Sequence, residues 1–239
     1  MTDYRGIERQ LSSDLGLTRR PVAVAFLDAP PPGVAQFKGT VPSGCTFWRL
    51  AADGAAFYTV PADHYNCPIG AYTHNIPLPP ARVEELGQTL GFMVGIGYVS
   101  MEEVPGIPVL PRTPGAIVYA PLGETPVDPD VVLFSGPAAR VMLLQEAANR
   151  GGVASTLNTL GRPTCMALPA ALAHGMVAST GCVGNRVYTA LAEGDLYAAV
   201  PGRDLAKLAD ATAAIGAANA KLLEYHQARR HQLSTQETE

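Results

Sequence analysis

The chain has 239 residues, of which 47% are hydrophobic, and a formal net charge of -4 at pH 7. This length suffices to bury a full hydrophobic core. The acidic balance, with a pI near 5.7, gives no reason to expect nucleic acid or an anionic membrane surface as a partner. The N-terminus lacks the apolar region of a secretory signal, and the longest stretch without charged residues, 163–185, is interrupted by polar side chains. We therefore expect a cytoplasmic protein without a membrane span.

Apolar spacing and turn residues predict the secondary-structure elements in chain order. Helices are predicted over 4–15, 82–94, 137–149 and 203–225, with a short helical segment around Cys165. Strands are predicted over 22–26, 56–60, 116–120, 131–134, 153–156 and 195–200. The mixture predicts an α/β or α+β fold with a mixed sheet and a long C-terminal helix that packs on its own sheet. We expect a single domain over 1–227 and a frayed polar tail over 228–239.

Two segments resemble each other, SGCTFWRLAADGAAFYTVP at 43–61 and TGCVGNRVYTALAEGDLYAAVP at 180–201. Each has Gly-Cys, an arginine four residues after the cysteine, an acid-Gly turn, an aromatic residue and Val-Pro. The equivalent pairs are Cys45 with Arg49 and Cys182 with Arg186. The similarity predicts an internal duplication in which the two pairs face each other across a pseudo-twofold axis.

The cysteines are the main candidates for chemistry, because each lies in a turn-rich setting where backbone N–H groups can stabilise a thiolate. They are Cys45, Cys67, Cys165 and Cys182. None forms a CxxC pair, yet four thiols suffice for one iron–sulfur cluster or one tetrahedral zinc ion if the fold brings them together. The alternative, that the cysteines are small buried apolar residues, stays open, above all for Cys165 among its apolar neighbours.

Other polar residues beside the cysteines extend the predicted site. The guanidinium groups of Arg49 and Arg186 could hold a carboxylate or phosphate, and we assign Asn185 to the same ligand. Ion pairs with nearby acids are the structural alternative for both arginines. His64 lies three residues before Cys67, so a thiol enzyme with Cys67 as nucleophile and His64 as its base is a further hypothesis.

Four segments together are similar to the DUF169 family of bacterial and archaeal proteins. They read GCTFWRLA, DHYNCPIGAYTHN, RPTCMALP and STGCVGNRVYTAL. The resemblance extends from about Leu15 to Leu222 and implies a single soluble domain. It implies nothing firmer about substrate or activity.

The residues support three hypotheses about function. The first is a cytoplasmic protein whose cysteines bind a metal centre, iron–sulfur before zinc, with a redox or sulfur-related role. The second is a metal-free binding module for a small anionic molecule, and the third is the Cys/His thiol enzyme. A small molecule or a redox partner is expected, and whether the chain forms a homo-oligomer is left open.

Overall fold

The structure is a computed structural model that describes residues 2–160 and 162–236, with the backbone alone for residues 156–160 and 234–236. Within these residues the chain forms eight α-helices and seven β-strands. The helices are α1 (Tyr4–Leu15), α2 (Cys45–Ala52), α3 (Pro68–Thr73), α4 (Pro80–Gly95), α5 (Ala138–Gly151), α6 (Ala167–His174), α7 (Val183–Thr189) and α8 (Leu205–Gln236). The strands are β1 (Val22–Leu27), β2 (Phe57–Thr59), β3 (Ala116–Pro121), β4 (Val131–Pro137), β5 (Ser155–Leu160), β6 (Met176–Ser179) and β7 (Asp195–Pro201).

All seven strands lie in one sheet, in the order β2-β3-β1-β4-β7-β6-β5. Neighbouring strands are antiparallel except β5 and β6, which are parallel. The first strand lies near the middle, where Val22 pairs with Pro121 on one side and Leu133 on the other. The predicted single α/β domain with a mixed sheet and a long C-terminal helix is confirmed.

Alternating side chains give the sheet two buried faces. Along β4, Val131 and Leu133 belong to one core cluster, whereas Val132 and Phe134 belong to the other. This is the period of two expected for a strand that is covered on both sides. We call the face covered by α2, α3, α6 and α7 the front face, and the face covered by α1, α5 and α8 the rear face.

The rear face is a dense apolar layer. Leu11, Leu15, Leu144 and Leu208 are each no more than 1% exposed. Helices α5 and α8 approach so closely that a Cβ atom added at Gly151 would lie 2.8 Å from the carbonyl oxygen of Lys207. The two helices pack through backbone as well as side chains, and this close packing makes the rear face rigid.

The front face is covered by shorter helices and an aromatic cluster. Phe47 of α2 stacks on Tyr119 of β3 with ring centroids 5.4 Å apart, and Phe37 meets the edge of Phe47 at 5.1 Å. Phe57 of β2 completes the cluster, at 5.7 Å from Tyr119. The cluster holds α2 against the sheet and thereby positions the start of this helix.

Two sequence predictions need correction. Strand β2 lies at one edge of the sheet, whereas β7 lies between β4 and β6, so the two similar segments occupy unequal positions and a pseudo-twofold duplication is not shown. Helix α8 continues to Gln236 instead of fraying from 228. No Gly or Pro follows Gly216 in this helix, and strong helix formers propagate it. The end of the predicted tail, 237–239, lies outside the described residues.

Strand β5 also differs from the prediction of 153–156, because it runs over Ser155–Leu160. The C-cap of α5 at Gly152 and the bond from the Val153 N–H to the Ala148 carbonyl still belong to the helix end. In the part of the chain that the structure describes, no helix combines the length and the apolar character that a membrane span requires.

Candidate functional site

All four cysteines lie on the front side of the sheet, each at or just before the start of a short helix. Cys45 is the first residue of α2, and Cys67 directly precedes Pro68 of α3. Cys165 lies in the turn Thr164–Met166 before α6, and Cys182 precedes α7. Cys45 and Cys165 are each 5% exposed, whereas Cys67 and Cys182 are half-buried. The tertiary structure thus gathers residues that are up to 137 positions apart in the sequence.

The four thiols are close enough to interact electrostatically with one another. Burial raises the pKa of Cys45 well above the ordinary thiol value, and Cys165, Cys67 and Cys182 raise it further. Burial also raises the pKa of Cys165, with added contributions from Cys67 and Cys182. The pKa of Cys67 is raised by burial and, more weakly, by Cys182. Every pairing of the four cysteines occurs among these interactions, so they form one cluster of free thiols.

The spacing of the cluster does not suit a single ion. Among the described residues, no group of three or more His, Cys, Asp or Glu side chains is arranged to hold one metal ion. An ion bound at about 2.3 Å holds its four sulfurs roughly 3.8 Å apart. The cysteines are therefore neighbours around a common region rather than a closed tetrahedron.

Backbone N–H groups face the sulfur of Cys67. Those of Gly44 and Gly70 donate to it and oppose the burial that raises its pKa. At Gly70 a side chain is excluded, because a Cβ atom there would lie 3.0 Å from the Cys67 sulfur. Gly44 precedes Cys45, so the start of α2 also stabilises negative charge on Cys67.

The turns that carry Cys165 and Cys182 are tied together. The backbone N–H of Cys182 donates to the hydroxyl of Thr164 at 2.6 Å, and Thr164 is fully buried. Arg186 then anchors the chain around α7 by donating to the carbonyl oxygens of Thr180, Ala192, Glu193 and Asp195. In this arrangement the predicted ligand-binding guanidinium holds the loop that positions Cys182.

Asn185 is the one polar side chain of α7 directed into the cluster. It is 2% exposed, and neither its amide nitrogen nor its amide oxygen makes a hydrogen bond of ordinary geometry. It lies beside the Cys45 thiol and the Tyr197 hydroxyl, and it lowers the pKa of both groups against the larger effect of burial. Unpartnered buried amides are rare in folded proteins, so Asn185 is an unusual residue of this region.

A group of buried polar side chains, which we call the buried polar band, lies near the cysteines and consists of Thr59, His64, His74 and Tyr119. The Thr59 hydroxyl lies 2.9 Å from Nε2 of His64 and 3.3 Å from the Ile117 carbonyl oxygen. Because the carbonyl can only accept, Thr59 donates to it and accepts from Nε2–H of His64, which leaves Nδ1 of His64 as an acceptor without a partner. The same logic applies to His74, whose Nδ1 donates to the Gly70 carbonyl at 2.6 Å while its Nε2 has no partner.

Tyr119 completes this band. Its hydroxyl is fully buried and has no hydrogen-bond partner. Burial raises its pKa well above the ordinary value, and the nearby thiols of Cys45 and Cys165 raise it further. The hydroxyl is therefore a protonated donor close to two sulfurs.

The remaining predicted site residues are placed as follows. Arg49 is about half exposed and forms a loose ion pair with Asp53, in which Nε and Oδ2 are 3.5 Å apart. His64 is fully buried and bonded to Thr59. The sequence interpretation did not assign Tyr119, Thr164, Tyr197 or His74 to the site. Tyr119 and Tyr197 sit in apolar strands, where nothing local separates a site residue from a core residue.

The chain matches the model of the DUF169 family, described as "Uncharacterised ArCR", over residues 10–211. No curated protein and no solved structure matches it. The matched range contains all four cysteines, Asn185 and the buried polar band, and it covers most of the 239 residues. The resemblance carried by the cysteine motifs is thus confirmed, and the chain belongs to the DUF169 family.

Proposed function

We propose that this protein holds an iron–sulfur cluster through Cys45, Cys67, Cys165 and Cys182 and serves a redox or sulfur-related function in the cytoplasm. The mutual approach of all four thiols on the front face carries the proposal. Four free cysteines suit a reducing compartment, where thiols remain available as ligands.

A cluster fits the donor set better than zinc does. Several irons joined by sulfide spread their cysteine ligands over a wider region than one ion can. The described side chains do not converge on one ion, so a single zinc ion lacks a ready set of four ligands there. Bound iron would deprotonate the thiols, which the protein alone keeps protonated by burying them.

The surrounding donors suit the negative charge of such a group. The N–H groups of Gly44 and Gly70 already face the Cys67 sulfur. The Tyr119 hydroxyl and the Asn185 amide lie close to Cys45 and have no other hydrogen-bond partner. Hydrogen bonds of this kind to ligand sulfurs stabilise iron–sulfur clusters and set their potentials. When bound, the cluster would supply one-electron transfer or a Lewis-acidic iron.

A redox partner or a small molecule would reach the site from the side of Cys67 and Cys182. These two cysteines are half-buried, whereas Cys45 and Cys165 are each only 5% exposed. Helix α7, which follows Cys182, exposes 63% of Val183 and 70% of Val187. Exposed apolar side chains beside the more accessible thiols suit transient docking of a redox protein.

The two other hypotheses receive less support from the geometry. For an anion-binding module, Arg186 is engaged by four backbone carbonyls and Arg49 is paired with Asp53. For a thiol enzyme, the predicted base His64 is hydrogen-bonded to Thr59. Burial also raises the pKa of Cys67, whereas a nucleophilic thiol needs a lowered pKa.

Anaerobic purification followed by iron and sulfide analysis tests the proposal. We expect a brown protein with bound iron and sulfide, and a loss of most of both when any one of the four cysteines is replaced by Ser. Ala51→Ser is the matched control, because it places a serine in the buried face of α2, 0% exposed, without removing a thiol. A colourless wild-type protein that takes up no iron on anaerobic reconstitution, or cysteine variants that keep full iron, would refute the proposal.

A further inference from the structure

Helix α4 presents an apolar surface to solvent. Within the described structure, none of its 16 residues is buried. Its outward side carries Val83, Phe92 and Ile96, each more than half exposed. A surface helix normally turns polar side chains to water, so an outward side of this composition marks a contact surface. We call this side the outer α4 face, and its exposed residues are Val83, Glu84, Gly87, Gln88, Gly91, Phe92, Gly95 and Ile96.

Three glycines form a groove along the outer α4 face. Gly87, Gly91 and Gly95 are spaced by four residues and therefore lie on one side of the helix. A Cβ atom added at any of them would meet no described atom within 4 Å. Each glycine in a helix costs about 1 kcal/mol relative to alanine, and within the described part of one chain nothing packs into the space. A backbone without side chains lets another helix approach closely.

The far half of α8, residues 221–236, extends beyond the rear core. Ile215 packs against that core, but every described side chain from Lys221 to Leu233 is exposed. The large apolar side chains of this half are Leu222, Leu223, Tyr225 and Leu233. Helices gain most of their stability from packing, so a segment of this composition suits contact with another surface. As part of one unbroken helix without Gly or Pro after Gly216, it cannot fold back onto its own chain.

The two surfaces carry opposite charge. The segment 80–106, which contains α4 and the turn after it, has four glutamates and one arginine. Arg162 from outside the segment pairs with Glu103, which leaves an excess of two negative charges. Glu84 lies on the outer α4 face itself. The far half of α8 has three cations and one carboxylate, which are Lys221, Arg229, Arg230 and Glu224. Association of these two surfaces is therefore favoured electrostatically.

Shape and length also match. Helix α4 has 16 residues, and the far half of α8 supplies 16 of the 32 residues of that helix, so each is about 24 Å long. The large side chains of α8 complement a groove that lacks side chains. Contact between two α4 helices would instead bring the exposed Glu84 of one copy towards that of the other, and like charges oppose such a pairing.

We propose that the chain forms a symmetric homodimer in which the far half of α8 from each copy packs on the outer α4 face of the other. Each copy offers one of each surface, so a reciprocal exchange closes a twofold dimer with two equal contacts. The exchange covers both apolar surfaces that a single copy exposes. It involves none of the four cysteines and does not depend on the proposed iron–sulfur cluster.

Sedimentation velocity and light scattering of the full chain over a wide concentration range test the interface, with Gly91→Leu as the main variant. The new side chain has room in one copy but fills the groove. We expect a dimer for wild type and a monomer for Gly91→Leu, whose helix content is kept because leucine is a better helix former than glycine. Gly194→Leu is the matched control, since Gly194 is an exposed glycine with open space around it among the described residues, and it should stay dimeric.

Charge reversal tests the identity of the partner surface. Arg229→Glu combined with Arg230→Glu should raise the dissociation constant at least about tenfold, because attraction to the acidic segment becomes repulsion. Adding Glu84→Lys and Glu102→Lys to that variant should restore the dimer. The contact side chains are exposed in one copy, so these changes leave the free energy of unfolding of the dissociated chain nearly unchanged.

The outcomes are distinct. A wild-type chain that stays monomeric, including one that binds phosphatidylglycerol vesicles as a monomer, would overturn the inference. A dimer that survives Gly91→Leu would place the contact elsewhere, and a dimer that is sensitive to Gly91→Leu but not to charge reversal would exclude α8 as the partner. If circular dichroism shows that Gly91→Leu loses helix, Phe92→Ser takes its place and should also give a monomer. Iron content enters none of these measurements, so the inference and the proposed function fail separately.

Discussion

The two faces of the sheet are built on opposite principles. The rear core cluster consists of apolar residues, and its buried polar neighbours are bonded: Glu8 pairs with Arg20 at 2.6 Å, and Thr212 donates to Asp14 at 3.0 Å. On the front, the cysteines lie among polar atoms without partners. In the described part of the chain, all such buried side-chain atoms belong to Trp48, His64, His74, Tyr119 and Asn185.

This difference shows that the front face carries the unpartnered polar groups that lower the stability of the fold. An unpartnered buried polar group costs about 1–3 kcal/mol, and native proteins keep few of them. Their concentration on the front face sets it apart from the rear face, where apolar side chains pack closely. Three experiments separate the two faces, beginning with the largest expected effect.

Truncation of the rear layer should cost the most stability. Leu208 of α8 is 0% exposed, and Leu208→Ala should lower the free energy of unfolding by about 2–5 kcal/mol, because it leaves a cavity in a rigid layer. Urea unfolding of the metal-free protein measures the loss. Leu222→Ala on the same helix, where the leucine is 57% exposed, is the control and should change stability by less than about 0.5 kcal/mol. Equal losses in the two variants would contradict the assignment of the rear face as the rigid core.

Acid should destabilise the metal-free protein through the front-face histidines. Burial lowers the pKa of His64, with a smaller contribution from His74, and burial also lowers the pKa of His74. Both histidines are therefore neutral in the folded state and gain protons on unfolding. Stability is fully present above the unfolded pKa of about 6.5 and falls as the pH drops from there towards the folded values, by at most about 1.4 kcal/mol per pH unit for each histidine.

Urea unfolding between pH 7.5 and 5 measures this slope. His64 is faced by Phe47, Thr59, His74 and Tyr119, so His74 and Tyr119 are its titratable neighbours. His64→Gln should reduce the slope, whereas the exposed His226→Gln should leave it unchanged. A slope that is identical in all three proteins would show that the buried histidines do not govern the acid response.

Removal of an unpartnered hydroxyl should have the smallest effect on the metal-free protein. Tyr119→Phe deletes a fully buried oxygen that makes no hydrogen bond, so we expect stability to stay equal or to rise by up to about 1 kcal/mol. Tyr197→Phe is the comparison, because that hydroxyl donates to Thr189, and its loss should destabilise by about 1 kcal/mol. A large loss in Tyr119→Phe would mean that its hydroxyl already has a partner.

Much of the secondary structure could be predicted from the sequence. The spacing of Tyr4, Ile7, Leu11 and Leu15 predicts α1 with the bounds that the structure has, and Gly16 is its C-cap. The apolar run from Val22 marks β1, which is buried on both sides. These signals are local, since helix and strand periods are written in consecutive residues. The predicted internal duplication is not shown, because similar local segments need not take equivalent places in a sheet.

The cysteines could be named from the sequence, but their neighbourhood could not. The Gly-Cys motif identifies Cys45 and Cys182 as candidate site residues, whereas no sequence motif marks Tyr119 or His74. Their role arises from strand order and side-chain direction, which put Tyr119 of β3 beneath α2.

By itself the sequence determined most of the strands and the long helices, the family and the identity of the thiols, because each depends on short runs of residues. Only the tertiary structure decided that the four thiols share one region, that Arg186 holds a loop, and that Asn185 faces Cys45 with an unused amide. The physical reason is that these relations depend on contacts between distant segments, and burial on one face of the sheet sets both the pKa values of the thiols and the hydrogen bonds that remain unmade.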